Sequence, residues 1–169
     1  MQVEIKKVCE INTNEYKPLR AGIIPYTFQN RELSIGIGID SKYHEFTDFS
    51  GTVNYVEENC IEGAIREFKE ETLSVFKDIT PLDIQNYYAI CDTKLMVIFV
   101  GFNVKKDIVL DKFKKSYKTV KKSENCGFIW VEPEFFQSLI TEPGKMFEKL
   151  RKTLFESNIQ NPEIFKNIF

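Results

Sequence analysis

The sequence predicts a protein of the α/β (α+β) kind, a mixed β-sheet sandwiched between helices. Three observations lead there. Residues Glu32 to Asp40 (ELSIGIGID) alternate strictly, with Leu33, Ile35, Ile37 and Ile39 set against Ser34, Gly36, Gly38 and Asp40, the signature of a half-buried strand. Residues Leu95 to Val104 (LMVIFVGFNV) are apolar on both parities, as in a strand buried on both faces. Between them, Asn59 to Ser74 places Ile61, Ile65, Phe68 and Thr72 on one stripe at helical spacing. Strands, a helix, strands and then helices, in that order, build a sheet covered by helices.

Taken in order, Arg20 to Phe28 (RAGIIPYTF) reads as a strand that turns at Gln29-Asn30-Arg31 into the alternating one. The glycines on the second face of that strand permit close approach of another backbone or a ligand, and tight packing is the simpler cause. Ser41 to Glu58 is polar and turn-rich. Asn59 is an N-cap for the helix that follows. Lys77 to Asp83 is a loop, and Tyr87 to Asp92 and Leu95 to Val104 are strands. A lysine-rich stretch then runs to Lys122, either a phosphate-attracting surface or a solvated flexible loop. Gly127 to Val131 (GFIWV) is a short strand, and Pro133 suits the first turn of a helix through about Ile140. Gly144 to Ser157 is a helix with Met146, Phe147, Leu150 and Leu154 as its stripe, and Asn161-Pro162 opens a short closing one. With 169 residues and no repeat or linker, residues 1–169 are expected to form one domain with a single substantial core.

Composition excludes several classes. A formal net charge of -2 and a pI near 5.6 are not those of a dedicated nucleic-acid binder, so any basic surface is local. The first seven residues lack the apolar run of a signal peptide, and no stretch approaches the ~18 apolar residues that span a bilayer. A soluble, cytoplasmic protein is the expectation. Cys9, Cys60, Cys91 and Cys126 form no C-x-x-C pair, which fits free thiols in a reducing compartment. With His44 the sole histidine, a bound metal would be held by oxygen, favouring Mg²⁺ or Mn²⁺.

The chemistry concentrates in Gly51 to Val75, GTVNYVEENCIEGAIREFKEETLSV. At ~100° per residue, Glu67, Glu70 and Glu71 leave a helix within one arc of about 100° and can converge on one cation. Alone, such a triplet also describes a solvated acidic face. Its setting is more specific: Glu58, seven residues, then Arg66-Glu67-Phe68-Lys69-Glu70-Glu71, with Phe49-Ser50-Gly51 in a turn before it. The segment resembles the Nudix box, G-x5-E-x7-R-E-U-x-E-E-x-G-U with U apolar. It matches at Glu58, Arg66, Glu67, Phe68, Glu70 and Glu71, and departs at two glycines, where Thr52 and Leu73 stand. The box covers about a seventh of the chain, and the strand order and the Trp130 strand before a helix look like the family as well.

What the resemblance implies is a hydrolase that cleaves a diphosphate linkage. Glu67, Glu70, Glu71 and the Thr52 carbonyl would hold Mg²⁺ or Mn²⁺, and a Glu58–Arg66 ion pair would fix the loop against the helix. Glycine tolerates positive φ where threonine does not, so Thr52 raises a question of backbone geometry. Leu73 would lengthen the helix, since glycine at that place is a C-cap signal. Glu70 or Glu71 is a candidate general base, as is Glu124 in the loop before the GFIWV strand, although a loop glutamate is equally a surface residue.

Arg20, Arg31, Lys42 and His44, near the strands and loop leading to the box, are candidates for substrate contacts. Dinucleoside polyphosphates, sugar nucleotides, inositol pyrophosphates and the capped end of mRNA are all candidate substrates. The lysines from Lys105 to Lys122 lean toward the highly phosphorylated ones. A Nudix-like module that binds nucleotide or RNA without turnover is the alternative, motivated by Thr52 and Leu73.

Overall fold

The computed structural model describes residues 2–120 and 123–169; Met1, Lys121 and Lys122 lie outside it. Eight strands form one mixed sheet: β1 (Glu4–Lys7), β2 (Arg20–Gln29), β3 (Glu32–Asp40), β4 (Phe46–Thr47), β5 (Phe49–Thr52), β6 (Tyr88–Cys91), β7 (Leu95–Gly101) and β8 (Asn125–Val131). The backbone path is β1-β6-β7-β2-β3-β4, with β5 on β2 and β8 on β3. Only β2 and β7 pair in parallel among the named strands. Five helices cover it: α1 (Cys60–Glu71), α2 (Lys106–Tyr117), α3 (Pro133–Thr141), α4 (Glu148–Glu156) and α5 (Pro162–Ile168).

Strand alternation creates two cores. On one face Ala21, Ile23, Met96 and Ile98 pack with Ala64 and Phe68 of α1 and with Val109 and Phe113 of α2. On the other, Ile24, Ile35, Ile37, Val97 and Phe99 meet Phe136 and Leu139 of α3 and Leu150 and Leu154 of α4. The expected double burial of β7 is thus met, because its two parities feed different cores. Gly36 and Gly38 are packing glycines: a Cβ on Gly36 would stand 2.8 Å from Phe128, and one on Gly38 3.0 Å from Phe49.

Three segments differ from expectation. The polar stretch 41–58 holds β4 and β5, which fill the gap where β2 and β3 part: β2 pairs with β3 through Tyr26↔Ile35 and with β5 from Ile23↔Phe49, while β3 turns to β4 at Gly38↔Thr47. The lysine-rich stretch is the helix α2 over residues 106–117, not a loop, since Val109 and Phe113 anchor it; Lys121 and Lys122 of that stretch lie outside the described residues. The helix expected from Gly144 begins at Glu148, because Met146 bridges to Phe46 instead. No helix among the described residues is long and apolar enough to cross a membrane.

Candidate active site

Helix α1 is set in place at its start by a reciprocal cap. The Asn59 side chain accepts from the Glu62 amide at 2.9 Å and the Glu62 carboxylate accepts from the Asn59 amide at 3.0 Å. Its end is equally defined. The Leu73 amide donates to the Glu70 carbonyl at 3.2 Å and the Ser74 amide to the Lys69 carbonyl at 2.9 Å, the paired bonds of a Schellman turn. Leu73 (φ 56°) and Ser74 (φ 58°) both take left-handed backbone there. Leu73 therefore does not lengthen the helix: it occupies the conformation that glycine would adopt, held by packing of its side chain against the core beneath α1. Thr52, by contrast, has no positive φ; it is an ordinary residue of β5, opposite Arg20.

The glutamates of α1 divide into two groups. Arg66 binds the first. Its Nε and Nη2 grip Glu58 in a fork at 2.8–3.2 Å, its Nη1 donates to Glu67 at 2.9 Å and to both oxygens of Glu70 at 3.3 Å, and its Nη2 reaches the Thr52 carbonyl at 3.1 Å. The hydrogen bond from Arg66 holds the Glu58 carboxyl below the usual range. Glu67, buried under the sheet, is pushed up by burial against the pull of Arg66. Gly51 makes this burial possible, since a Cβ there would sit 2.2 Å from the Glu67 carboxylate. The Glu58–Arg66 pair stands where it was expected. The cation at the centre of Glu67 and Glu70, however, is Arg66 itself, and among the described residues no three acidic, histidine or cysteine side chains already converge as a metal cage.

Glu71 forms the second group with Glu124. Glu71 is buried, and burial first, then the neighbouring charges of Glu124, Glu67 and Glu70, push its carboxyl up to about 8. Such crowding of carboxylates is what a hard divalent cation relieves, and every donor present is oxygen. The donor set is one that fits Mg²⁺ or Mn²⁺: Glu67, Glu70 and the Thr52 carbonyl all meet Arg66, and Glu71 follows Glu70 as the last residue of α1. Glu71 and Glu124 open onto a cleft of about 220 Å³ whose walls include Arg20, Tyr43, Glu45, Asp48, Ser50 and Phe147.

The candidate substrate residues separate. Arg20 lines this cleft, its guanidinium 5.6 Å from the centre of the Phe147 ring. Lys42 and His44 lie in the β3–β4 turn next to Tyr43 and Glu45, which line the cleft, but do not line it themselves; both are exposed, Lys42 with its Nζ 5.0 Å over the Tyr43 ring and His44 at φ 56°. Arg31 is not brought to the cleft. It sits with Asn30 in the β2–β3 turn, both at positive φ, a strand's length (~30 Å at 3.3 Å per residue) from Arg20. Asp48 and Ser50 were missed. Their signal was polar Asp48 and Ser50 on either side of apolar Phe49, at the junction of two strands too short to register.

No protein-family model matches this chain, and no curated protein matches it. Solved structures do. An Ap4A hydrolase from C. elegans, in a binary complex, is 16% identical with a TM-score of 0.52 over 89% of this chain and 98% of that one. The Nudix domain of Shewanella oneidensis NrtR, complexed with ADP ribose, is 10% identical at 0.49 over 88% and 94%. A pyrophosphohydrolase from Bacillus subtilis is 11% identical at 0.43 over 95% and 92%. The first of the three establishes a shared fold, and at 16% identity it establishes nothing finer.

Proposed function

We propose, from the premise that this chain has the Nudix fold and carries that family's glutamate box in sequence, that it is a metal-dependent pyrophosphohydrolase acting on a diphosphate linkage. The observation that supports it most is the buried Glu71, forced against Glu124, Glu67 and Glu70 at the mouth of a cleft. Crowded carboxylates cost stability without a cation, and the fold tolerates them here rather than dispersing them.

In this reading Glu67, Glu70, Glu71 and the Thr52 carbonyl hold Mg²⁺ or Mn²⁺, which when bound neutralises charge on the diphosphate oxygens and makes water more acidic. Glu124, exposed at the cleft edge beside Glu71, accepts the proton of the attacking water; Glu70 and Glu71 are the other carboxylates able to do so. Arg66 keeps Glu58 and the β5 end against α1, so that the carbonyl and carboxylates share one origin. Arg20 meets a phosphate on the far side, with Lys42 and His44 at the rim. The two departures from the box do not favour a binding module, because Thr52 is unstrained and Leu73 makes the turn that glycine would. The four thiols are free, in keeping with a cytoplasmic setting, and residues 1–169 serve as one catalytic domain.

The substrate is a small phosphorylated molecule with a diphosphate, and dinucleoside polyphosphates are the first to offer because the C. elegans protein of the same fold is an Ap4A hydrolase. A panel of Ap4A, ADP-ribose, an inositol pyrophosphate and capped RNA, with Mg²⁺, with Mn²⁺ and with neither, tests the reading on wild type and Glu70→Gln. Turnover of at least one substrate that needs metal and falls at least about a hundredfold in the variant is expected. No turnover of any, with tight binding, would make the chain a binding module; turnover indifferent to Glu70→Gln would make the acids a surface face.

A further inference from the structure

Asp48 is the least accessible charged side chain of the cleft wall, 1% exposed, at the junction of β4 and β5 where β2 and β3 part. Its Oδ1 accepts from the Ser50 hydroxyl at 2.8 Å and from the Thr47 hydroxyl at 3.2 Å, while its Oδ2 has no partner among the described residues. The Ser50 oxygen accepts in turn from Arg20 Nη2 at 3.0 Å. The three side chains form a directed series: the guanidinium donates to the serine and the serine donates to the acid. Gly22 makes room for it, since a Cβ there would stand 2.2 Å from Ser50 Cβ. A buried carboxyl with one oxygen unpaired costs free energy.

The cleft explains why the cost is borne. Among the described residues Arg20 is the one cation that lines it, facing Glu45, Glu71 and Glu124, and it forms no ion pair with any of them. An aspartate touching the guanidinium directly would fix it but also neutralise it. With Ser50 interposed, the arginine is oriented by a hydroxyl and its charge stays available, while the Phe147 ring supports it from one side.

We propose that Asp48 is a positioning residue that, through Ser50, aims Arg20 at a phosphate of the substrate. The proposal rests on the reading of the cleft as a diphosphate site, and it makes Arg20 the anchor for the phosphate remote from Glu71. Asp48 does not touch the ligand. Its Oδ1 serves as a hydrogen-bond acceptor, for which a formal charge is not needed; an asparagine with its Oδ1 in the same pose serves as well.

The test is a double-mutant cycle on affinity for methylenediphosphonate, a diphosphate that cannot be hydrolysed, with Mg²⁺ present and Tm recorded for each variant. Arg20→Ala and Ser50→Ala are each expected to weaken binding about tenfold, as loss of a charge-assisted contact does, and the double variant by about tenfold as well rather than a hundredfold. Asp48→Ala should match Ser50→Ala, and Asp48→Asn should restore affinity to within about threefold. Losses that multiply in the double variant, a lowered Tm in Ser50→Ala or Asp48→Asn with affinity unchanged, or a wild type that does not bind the probe would each overturn the proposal. Should Asp48→Ala fail to fold, the Ser50→Ala and Asp48→Asn results decide it. Hydrolysis is scored separately, so a chain that shows the coupling yet turns nothing over retains the relay and loses the hydrolase reading.

Discussion

The two ends of the box differ in how they manage negative charge. Around Arg66, the carboxylates of Glu58, Glu67 and Glu70 share one guanidinium through seven hydrogen bonds that also include the Thr52 carbonyl. Next to Glu70, Glu71 and Glu124 face each other with no ion-pairing cation among the described residues, and Glu71 is pushed up to about 8. The same helix thus carries a satisfied lattice and an unsatisfied pair. The first is what a fold needs to hold a loop against a helix; the second is what a fold keeps only where a ligand completes it. Structure and chemistry are therefore separable by mutation.

The widest separation is expected from Glu71→Gln against Arg66→Ala. Removing the Glu71 carboxylate should lower kcat/KM on a turned-over diphosphate by roughly 10²–10⁴-fold, the range for a lost acid-base group, while leaving metal-free stability at pH 7 unchanged or raised. Removing Arg66 strands three acids. It should lower stability by about 2 kcal/mol, between the values for exposed and buried ion pairs, and Tm by about 4–8 °C. Thermal melts and steady-state kinetics on both variants check the pair. Equal losses of stability in the two would remove the distinction.

Acidity should drive the two ends in opposite directions. Between the ordinary carboxylate range and pH 8, native Glu71 holds a proton that the unfolded chain has released, so stability falls as pH rises through that window. Glu58 is held low by Arg66, so its contribution is present above the ordinary range and is lost as pH falls through its folded value. Metal-free protein is then expected to be most stable in mildly acidic solution and to lose a few degrees of Tm by pH 8. Added Mg²⁺ or Mn²⁺ should restore most of that loss above pH 7 and little at pH 5, because it binds the ionised carboxylates. Glu71→Gln should reduce the alkaline slope and leave the part that Glu67 and Asp48, also pushed up by burial, contribute, and calorimetry from pH 4 to 9 reads all three effects.

What could be read from the sequence was what repeats with a period. The alternation of β3, the doubly apolar β7 and the Asn59 cap are local patterns that tertiary contacts only reinforce. The Glu58–Arg66 pair was legible because a fixed spacing carried it. The rest depends on distant partners. β4 is two residues long and exists because β2 and β3 separate there, which nothing within 41–58 announces. In α2, Val109 and Phe113 make one narrow stripe beneath a lysine-rich surface, so charge hid the periodicity. Asp48 looked like a turn residue, and its role needs Arg20 from another strand, 28 positions earlier.

The smallest effect sharpens the comparison at the far end of α1, where the helix stops at Glu71 itself. Leu73 and Ser74 both adopt left-handed backbone, a conformation that costs a non-glycine residue about 1 kcal/mol. Leu73 recovers part of that by packing against the core, so Leu73→Gly exchanges one loss for another and should be nearly neutral. Ser74 is exposed and makes no side-chain hydrogen bond among the described residues, so Ser74→Gly relieves the strain without losing contacts. It should raise stability by up to about 1 kcal/mol, some 2–4 °C in Tm, with kcat unaltered. A fall in kcat alongside the higher Tm would mean that the strained turn holds Glu71 in its pose, and that the structural and chemical ends of the box are not independent after all.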